Sequence, residues 1–354
     1  MSFSIGIVGL PNVGKSTMFQ AITKKQVDCA NYPFCTIEPN KGIVAVPDER
    51  LLKLTQISKS RKTVPVVVEF LDIAGLVKGA HKGEGLGNKF LSNIREVDAI
   101  CEVVRAFDDS DIIHVSGAVS PKDDVEVINY ELIFADLETL GRRLENTQKK
   151  LKAGRSADTD KEIATLERIK KALEGGQLAN ELEYNDDEKK LLREFQLLTA
   201  KPIIYVCNVK EDSDKSDELE EKNKVVLNAK LELELSELSE AERKDYIKEL
   251  GIKESGLDAL IKEAYKTLDL ITFFTSGEME SRGWTIKNGA KAPEAAGIIH
   301  TDFEKGFIRA EVISYDDFVA CNGELGAKET GKMRLEGKEY AVKDGDVCHF
   351  RFSI

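Results

Sequence analysis

The segment Gly9-Leu10-Pro11-Asn12-Val13-Gly14-Lys15-Ser16 spaces two glycines, a lysine and a hydroxyl as a phosphate-binding loop requires. Glycines let backbone N–H groups turn inward around a β-phosphate, the Lys15 ammonium reaches the β/γ oxygens, and the Ser16 hydroxyl is placed to ligate Mg²⁺. Asn12, Val13, Gly14 and Thr17 complete the expected phosphate contacts. A second group closes the run Val66-Val67-Val68-Glu69-Phe70-Leu71 with Asp72-Ile73-Ala74-Gly75. A strand-terminal aspartate such as Asp72 holds Mg²⁺ through water, while Gly75 offers its N–H to a γ-phosphate and swings when that phosphate leaves. Between them, Tyr32-Pro33-Phe34-Cys35-Thr36 presents Thr36 as a further Mg²⁺ ligand. Each short segment alone would pass for a surface turn. Their order along the chain, with the phosphate loop and the Asp72 segment each after an apolar run, favours a nucleotide switch.

Base selection falls to the loop after Lys201-Pro202-Ile203-Ile204-Tyr205-Val206-Cys207, which reads Asn208-Val209-Lys210-Glu211. Guanine-specific proteins of this class carry N-K-x-D there, the aspartate accepting two hydrogen bonds from the guanine edge. The extra methylene of Glu211 displaces that carboxylate, and Val209 replaces the lysine that packs over the base. Losing the guanine reader removes a reason to reject adenine, so ATP is expected over GTP. Asn208 is a candidate to hydrogen-bond the base, Val209 to pack on it, and Asn228-Ala229-Lys230 to form a following base-side loop.

These groups need strands to hold them. Phe3-Ile5-Ile7-Val8 supplies the strand before the phosphate loop, and short apolar runs at Ile43-Val46, Pro65-Leu71 and Asp98-Val104 alternate with helical stretches. That alternation predicts an α/β fold with a parallel sheet covered on both faces. From Glu131 the period changes: Ile133, Leu137, Leu140, Leu144 and Leu151 share one stripe, and after Ala153-Gly154-Arg155-Ser156 a second stripe runs through Ile163, Leu166, Ile169 and Leu173. Two such helices joined by a polar turn predict an inserted coiled-coil hairpin. The expected division is a nucleotide domain at 1–130 and 199–268, the insertion at 131–198, and a small α+β domain at 269–354.

Composition narrows the class further. The 354 residues are 42% hydrophobic, enough for a sizeable core, and the six cysteines show no C-x-x-C pair. Reduced cysteines fit the cytoplasm, and no apolar run reaches the roughly 18 residues of a membrane span. A net charge of −12 argues against nonspecific nucleic-acid binding by the whole molecule, while leaving room for a local basic face.

The phosphate loop, the segment Asp72-Ile73-Ala74-Gly75-Leu76-Val77-Lys78-Gly79-Ala80, the altered base motif, the hairpin and Ala295-Ala296-Gly297-Ile298-Ile299-His300-Thr301-Asp302-Phe303 together resemble the Obg-like ATPases of the YchF type over essentially the whole chain. The resemblance implies a Ras-like P-loop NTPase domain, a coiled-coil insertion and a C-terminal TGS domain of ubiquitin-like β-grasp shape. It implies slow ATP hydrolysis with some GTP binding, Mg²⁺ as cofactor, and a monomer that contacts ribosomal particles (50S or 70S). RNA contact through the coiled coil or the TGS domain would follow, with neither DNA nor membrane as partner. A GTP-specific translation factor is the alternative; a P-loop small-molecule kinase fits the switch residues less well.

Ras-like GTPases place a glutamine after the switch glycine to orient the attacking water, but here that residue is Leu76. Asn12 resembles the asparagine that binds K⁺ in relatives with this substitution, and such a cation adds charge near the β/γ bridge. The resemblance favours His114 as the group that replaces the glutamine, ahead of His81 in the glycine-rich segment. Lys15, Gly75 and His114 are thus the expected catalytic residues. Arg282, Lys305 and Arg309 are candidates for an RNA-facing surface of the last domain.

Overall fold

The computed structural model describes residues 3–27, 40–73, 88–109, 114, 118–153, 156–210 and 215–353. Strands β1 (Phe3–Val8), β2 (Lys41–Ala45), β3 (Thr63–Val64), β4 (Val67–Asp72), β5 (Ala99–Arg105), β6 (Ile203–Asn208) and β7 (Lys224–Leu227) come first. The last domain adds β8 (Leu270–Ser276), β9 (Ser281–Lys287), β10 (Phe307–Ser314), β11 (Arg334–Glu336) and β12 (Asp346–Phe352). Helices α1 (Lys15–Lys24), α2 (Glu49–Ser58), α3 (Asn88–Glu96), α4 (Pro121–Ala153), α5 (Ala157–Glu174) and α6 (Asp186–Phe195) precede β6. After β7 come α7 (Ala229–Leu235), α8 (Glu240–Glu249), α9 (Gly256–Thr267), α10 (Ala292–Ile299), α11 (Thr301–Lys305), α12 (Tyr315–Ala320) and α13 (Glu324–Glu329).

The first sheet has the order β2-β4-β1-β5-β6-β7. Every residue of β5 and β6 is buried, because apolar runs such as Ile203-Ile204-Tyr205-Val206-Cys207 are covered on both faces. One face packs Ile100, Val104, Ile128 and Leu132 under α4, and the other packs Ile7, Val103, Leu260 and Ala264 under α9. Strands β1, β4, β5, β6 and β7 run parallel, but β2 pairs antiparallel to β4 from Lys41↔Leu71 to Ala45↔Val67. The sheet is therefore mixed rather than wholly parallel as the alternation predicts. The connection runs through α2 and β3 and re-enters at the end of the sheet where β2 left it, so β4 returns alongside β2 in the opposite direction.

The strand order reverses between β1 and β5, and the C-terminal ends of β1, β4, β5 and β6 lie along one edge. Register fixes this: Ile7 lies beside Asp72, Val8 beside Glu102, and Arg105 beside Asn208. Ligands of open α/β sheets bind at such a switch point.

The hairpin helix α4 starts at Pro121, ahead of the Glu131 where the apolar stripe becomes visible, because its first turns pack Val125 and Ile128 on the sheet. Leu140 of α4 meets Leu166, Ile169 and Leu173 of α5 in the same cluster. Ser156 caps α5, its hydroxyl accepting from Thr159 N–H at 3.2 Å. At the root of the hairpin the buried Asp136 carboxylate accepts from Leu198 N–H, Thr199 N–H and the Thr199 hydroxyl at 3.0, 2.8 and 2.6 Å.

The second sheet has the order β11-β10-β12-β8-β9-β3, with β12 parallel to β8 between two antiparallel pairs. Two strands, a helix, and a last strand returning to the centre make the β-grasp topology, with α10 packing Ala292, Ala295 and Ala296 against Phe273 and Phe350. The segment from Ala292 to Lys305 forms two helices, broken at His300, whose extended backbone (φ −160°) both ends α10 and caps α11.

The sixth strand of this sheet comes from far upstream. β3 pairs parallel with β9 through Thr63↔Ser281 and Val64↔Arg282. α2 buries Leu51 and Leu54 against Phe274, Ile313 and Phe318. The chain thus leaves the nucleotide domain after β2, builds a helix and a strand into the last domain, and returns at β4.

Candidate functional site

The phosphate loop opens where β1 ends. Gly9 takes φ +147° and Gly14 φ +102°, conformations that L side chains rarely adopt. A Cβ on Gly9 would come within 2.3 Å of Val103 O, and one on Gly14 within 2.2 Å of Asn208 Nδ2. Both glycines are therefore required by contact as well as by backbone angle. Asn12 also sits left-handed at φ +61°, a region asparagine tolerates, with its residue exposed on the loop. Val13 is buried and anchors the loop in the core.

Gly14 is the N-cap of α1 and brings no side-chain acceptor, so the N–H groups of the first turn are left to an anion. Lys15 opens that turn and donates from Nζ to Leu10 O at 2.5 Å, closing the loop on itself. Burial pushes the Lys15 ammonium down to about 8, against the pull of Asp72. Burial likewise raises the Asp72 carboxyl, which Lys15 partly offsets. Both groups are moved towards neutrality by desolvation, and a bound phosphate with its cation would reverse this for each. Ser16 is exposed at the helix start and Thr17 half-buried behind it. The donor set of hydroxyl, carboxylate and phosphate oxygens suits Mg²⁺. The positions of Thr36, Gly75, Leu76, His81 and Glu211 lie outside the described residues.

Asn208, buried at the end of β6, joins three loops. Its Nδ2 donates to Val13 O at 2.9 Å, and its Oδ1 accepts from Ala229 N–H at 2.9 Å. The amide expected to touch the base thus spends an acceptor and a donor on holding the phosphate loop to the base-side loop. Val209 N–H donates to Leu227 O at 2.9 Å, and Asn228 caps α7 by accepting from Lys230 and Leu231 N–H, each at 3.1 Å. Ala229 is buried and Lys230 exposed.

His114 lies in the connection after β5, buried against the first turn of α4. Its Nε2 is 3.0 Å from Asp124 Oδ2, with both side chains almost fully covered. Burial raises the Asp124 carboxyl and the neighbouring imidazole draws it back. Arg105 holds the start of this connection, its Nε donating to Phe107 O at 3.0 Å and its Nη2 to Asp109 O at 3.1 Å. Lys210 reaches across to Asp109 at 3.0 Å, tying the base loop to the same connection. Arg105, Asp109 and Asp124 escaped the sequence reading. An arginine closing a strand that is apolar apart from Glu102 was the one visible signal.

A glycine cradle after the central strand, a lysine and hydroxyl at the helix start, a facing strand-terminal aspartate and an asparagine tying the two loops define a P-loop nucleotide-binding protein of the GTPase type. Residues 4–209 match the family model for 50S ribosome-binding GTPases. Residues 270–353 match the C-terminal domain model of YchF-type GTPases, described as a protein of unknown function. The chain is 55% identical to the ribosome-binding ATPase YchF of Bacillus subtilis (strain 168) and 52% identical to that of Escherichia coli O157:H7, covering 100% of both chains in each case. The solved YchF GTPase of Schizosaccharomyces pombe matches with a TM-score of 0.88 at 40% identity, over 99% of this chain and 98% of that one. The chain belongs to the YchF family.

Proposed function

We propose that this protein is a ribosome-binding ATPase that hydrolyses ATP slowly and changes its affinity for the ribosome with its nucleotide state. The observation that carries the reading is the preformed phosphate cradle, held to the base-side loop by Asn208. Ser16 and Asp72 would hold magnesium with Thr36. That ion, when bound, would supply positive charge to the phosphate oxygens. Lys15 neutralises the same oxygens from the protein side, and the first-turn N–H groups of α1 receive the β-phosphate. Gly75 donates its N–H to the γ-phosphate.

Adenine is accepted because the guanine-reading carboxylate is displaced at Glu211, with Val209, Asn228, Ala229 and Lys230 forming the base-side wall. Calorimetry with ATP and GTP tests this, and GTP binding about tenfold tighter would overturn it. His114 supplies the polar group that Leu76 lacks. His114→Ala should lower turnover and leave ATP affinity nearly unchanged; equal turnover would remove His114 from the mechanism. K⁺ held near Asn12 should raise the rate relative to Na⁺.

The names of the relatives support the ribosome as partner, and sedimentation with purified ribosomes in ATP, ADP and nucleotide-free buffer tests it. Arg282, Lys305 and Arg309 of the TGS domain face RNA there. Arg309 lies 3.6 Å from Glu311, and Arg282 stacks 4.9 Å over Trp284, so neither presents an isolated charge. The protein works as a cytoplasmic monomer. Among the described residues no helix is long and apolar enough to cross a membrane.

A further inference from the structure

Helix α4 is apolar on two faces where it roots the hairpin. One face packs Val125, Ile128, Leu132 and Ile133 into the core. The other carries Val127, Tyr130 and Phe134, which are 48%, 50% and 65% exposed. At 100° per residue these three fall within about 60° of one another and span roughly 10 Å along the axis. A helix apolar all round is ordinarily covered all round, and a contiguous exposed patch of this kind marks an interaction surface.

The charge around the patch says what covers it. Asp123 lies on the same stripe one turn before Val127, and Glu138 and Glu145 continue the stripe beyond Phe134, all exposed. Glu126 and Glu131 flank it. Of the cations on this side, Arg142 pairs with Glu138 at 3.3 Å, and Lys149 lies one turn beyond Glu145 at the far end of the stripe. A phosphate backbone would be repelled at both ends of the patch. An amphipathic protein segment with apolar anchors at helical spacing and lysine or arginine on either side would match it in shape and charge.

We propose that the Val127–Tyr130–Phe134 face of α4 docks a basic amphipathic segment of a ribosomal protein rather than ribosomal RNA. The proposal rests on the ribosome-binding reading above, and its probe is purified 70S ribosomes. Tyr130→Ser with Phe134→Ser should weaken co-sedimentation by about tenfold or more. Ribosome-free ATP turnover and thermal midpoint should stay at wild-type values, since the side chains are exposed. Glu138→Lys with Glu145→Lys should weaken binding as well. A benzophenone amino acid at position 134 should give a cross-linked adduct that survives ribonuclease and is destroyed by protease.

An adduct lost to ribonuclease, or tighter binding by the double-lysine variant, would mean that RNA docks there and would overturn the proposal. So would unaltered co-sedimentation of the serine variant, or a changed ribosome-free turnover, which would mean that the face serves the chain's own switch. Failure of the wild-type protein to sediment in every nucleotide state would overturn the ribosome reading and this one together. Wild-type sedimentation with unaffected variants would overturn this one alone.

Discussion

Gly14 and Asn208 show how closely the site is built. The Asn208 amide fills the space that any side chain at position 14 would need, so Gly14→Ala must displace it and strain a left-handed backbone. A loss of roughly 1–3 kcal/mol is expected, together with loss of ATP binding, read by thermal denaturation and calorimetry. Asn208→Ala leaves Val13 O and Ala229 N–H unpaired in a buried place, at a cost of about 1–3 kcal/mol. The pH response follows from Lys15. Its ammonium is depressed to about 8, so the charge that meets the phosphates is present below that pH and is lost as pH rises through it. ATP affinity should therefore fall above about pH 8, with proton uptake on binding; affinity constant to pH 9.5 would contradict the burial of Lys15.

Secondary-structure elements carry the site on long connections, and their anchors are single buried groups. Asp136 is fully buried in α4 and takes three hydrogen bonds from the residues that lead into β6. Replacing it with alanine orphans two N–H groups and a hydroxyl, which should cost roughly 2–4 kcal/mol in urea denaturation. Since β6 delivers Asn208, the same variant should also weaken ATP binding. Arg143 fixes the next level of the hairpin, bridging Glu162 at 2.9 Å and Glu194 at 3.2 Å while lying 4.5 Å over Phe195.

For the molecule as a whole, the excursion of α2 and β3 matters most. Ser58 and Ser60 hydroxyls meet those of Ser276 and Ser281 at 2.8 Å each, Arg61 N–H donates to Glu278 O, and Arg50 binds Asp344 at 2.6 Å. Where the chain returns, a Cβ on Gly283 would come within 2.8 Å of Val66, so that glycine permits the close approach. The strands on either side of the excursion, β2 and β4, form the edge of the nucleotide sheet, and β4 ends in Asp72. The two sheets should unfold together. Denaturation followed by the sole tryptophan, Trp284, and by ATP binding should give coincident midpoints. Leu54→Ala should lower both by about 2–5 kcal/mol of stability, and a shift in one alone would show the domains to be independent.

The order and type of most elements and the glycine-lysine-serine phosphate loop were legible from the residues alone. Those signals are local: a glycine-lysine-serine spacing after an apolar run, an aspartate ending a strand, and helical stripes two turns long or more. The sequence also located Asn208, whose amide holds Val13 and Ala229. Tertiary structure alone decided the antiparallel edge at β2, the lending of α2 and β3 to the far sheet, the burial of His114 against Asp124 and the anchor at Asp136. Each depends on residues distant in sequence being brought together, and a two-residue strand or one buried carboxylate leaves no period to read. Burial supplied the last distinction, since it alone sets Lys15 and Asp72 towards neutrality and leaves Val127, Tyr130 and Phe134 open on a helix whose other face is core.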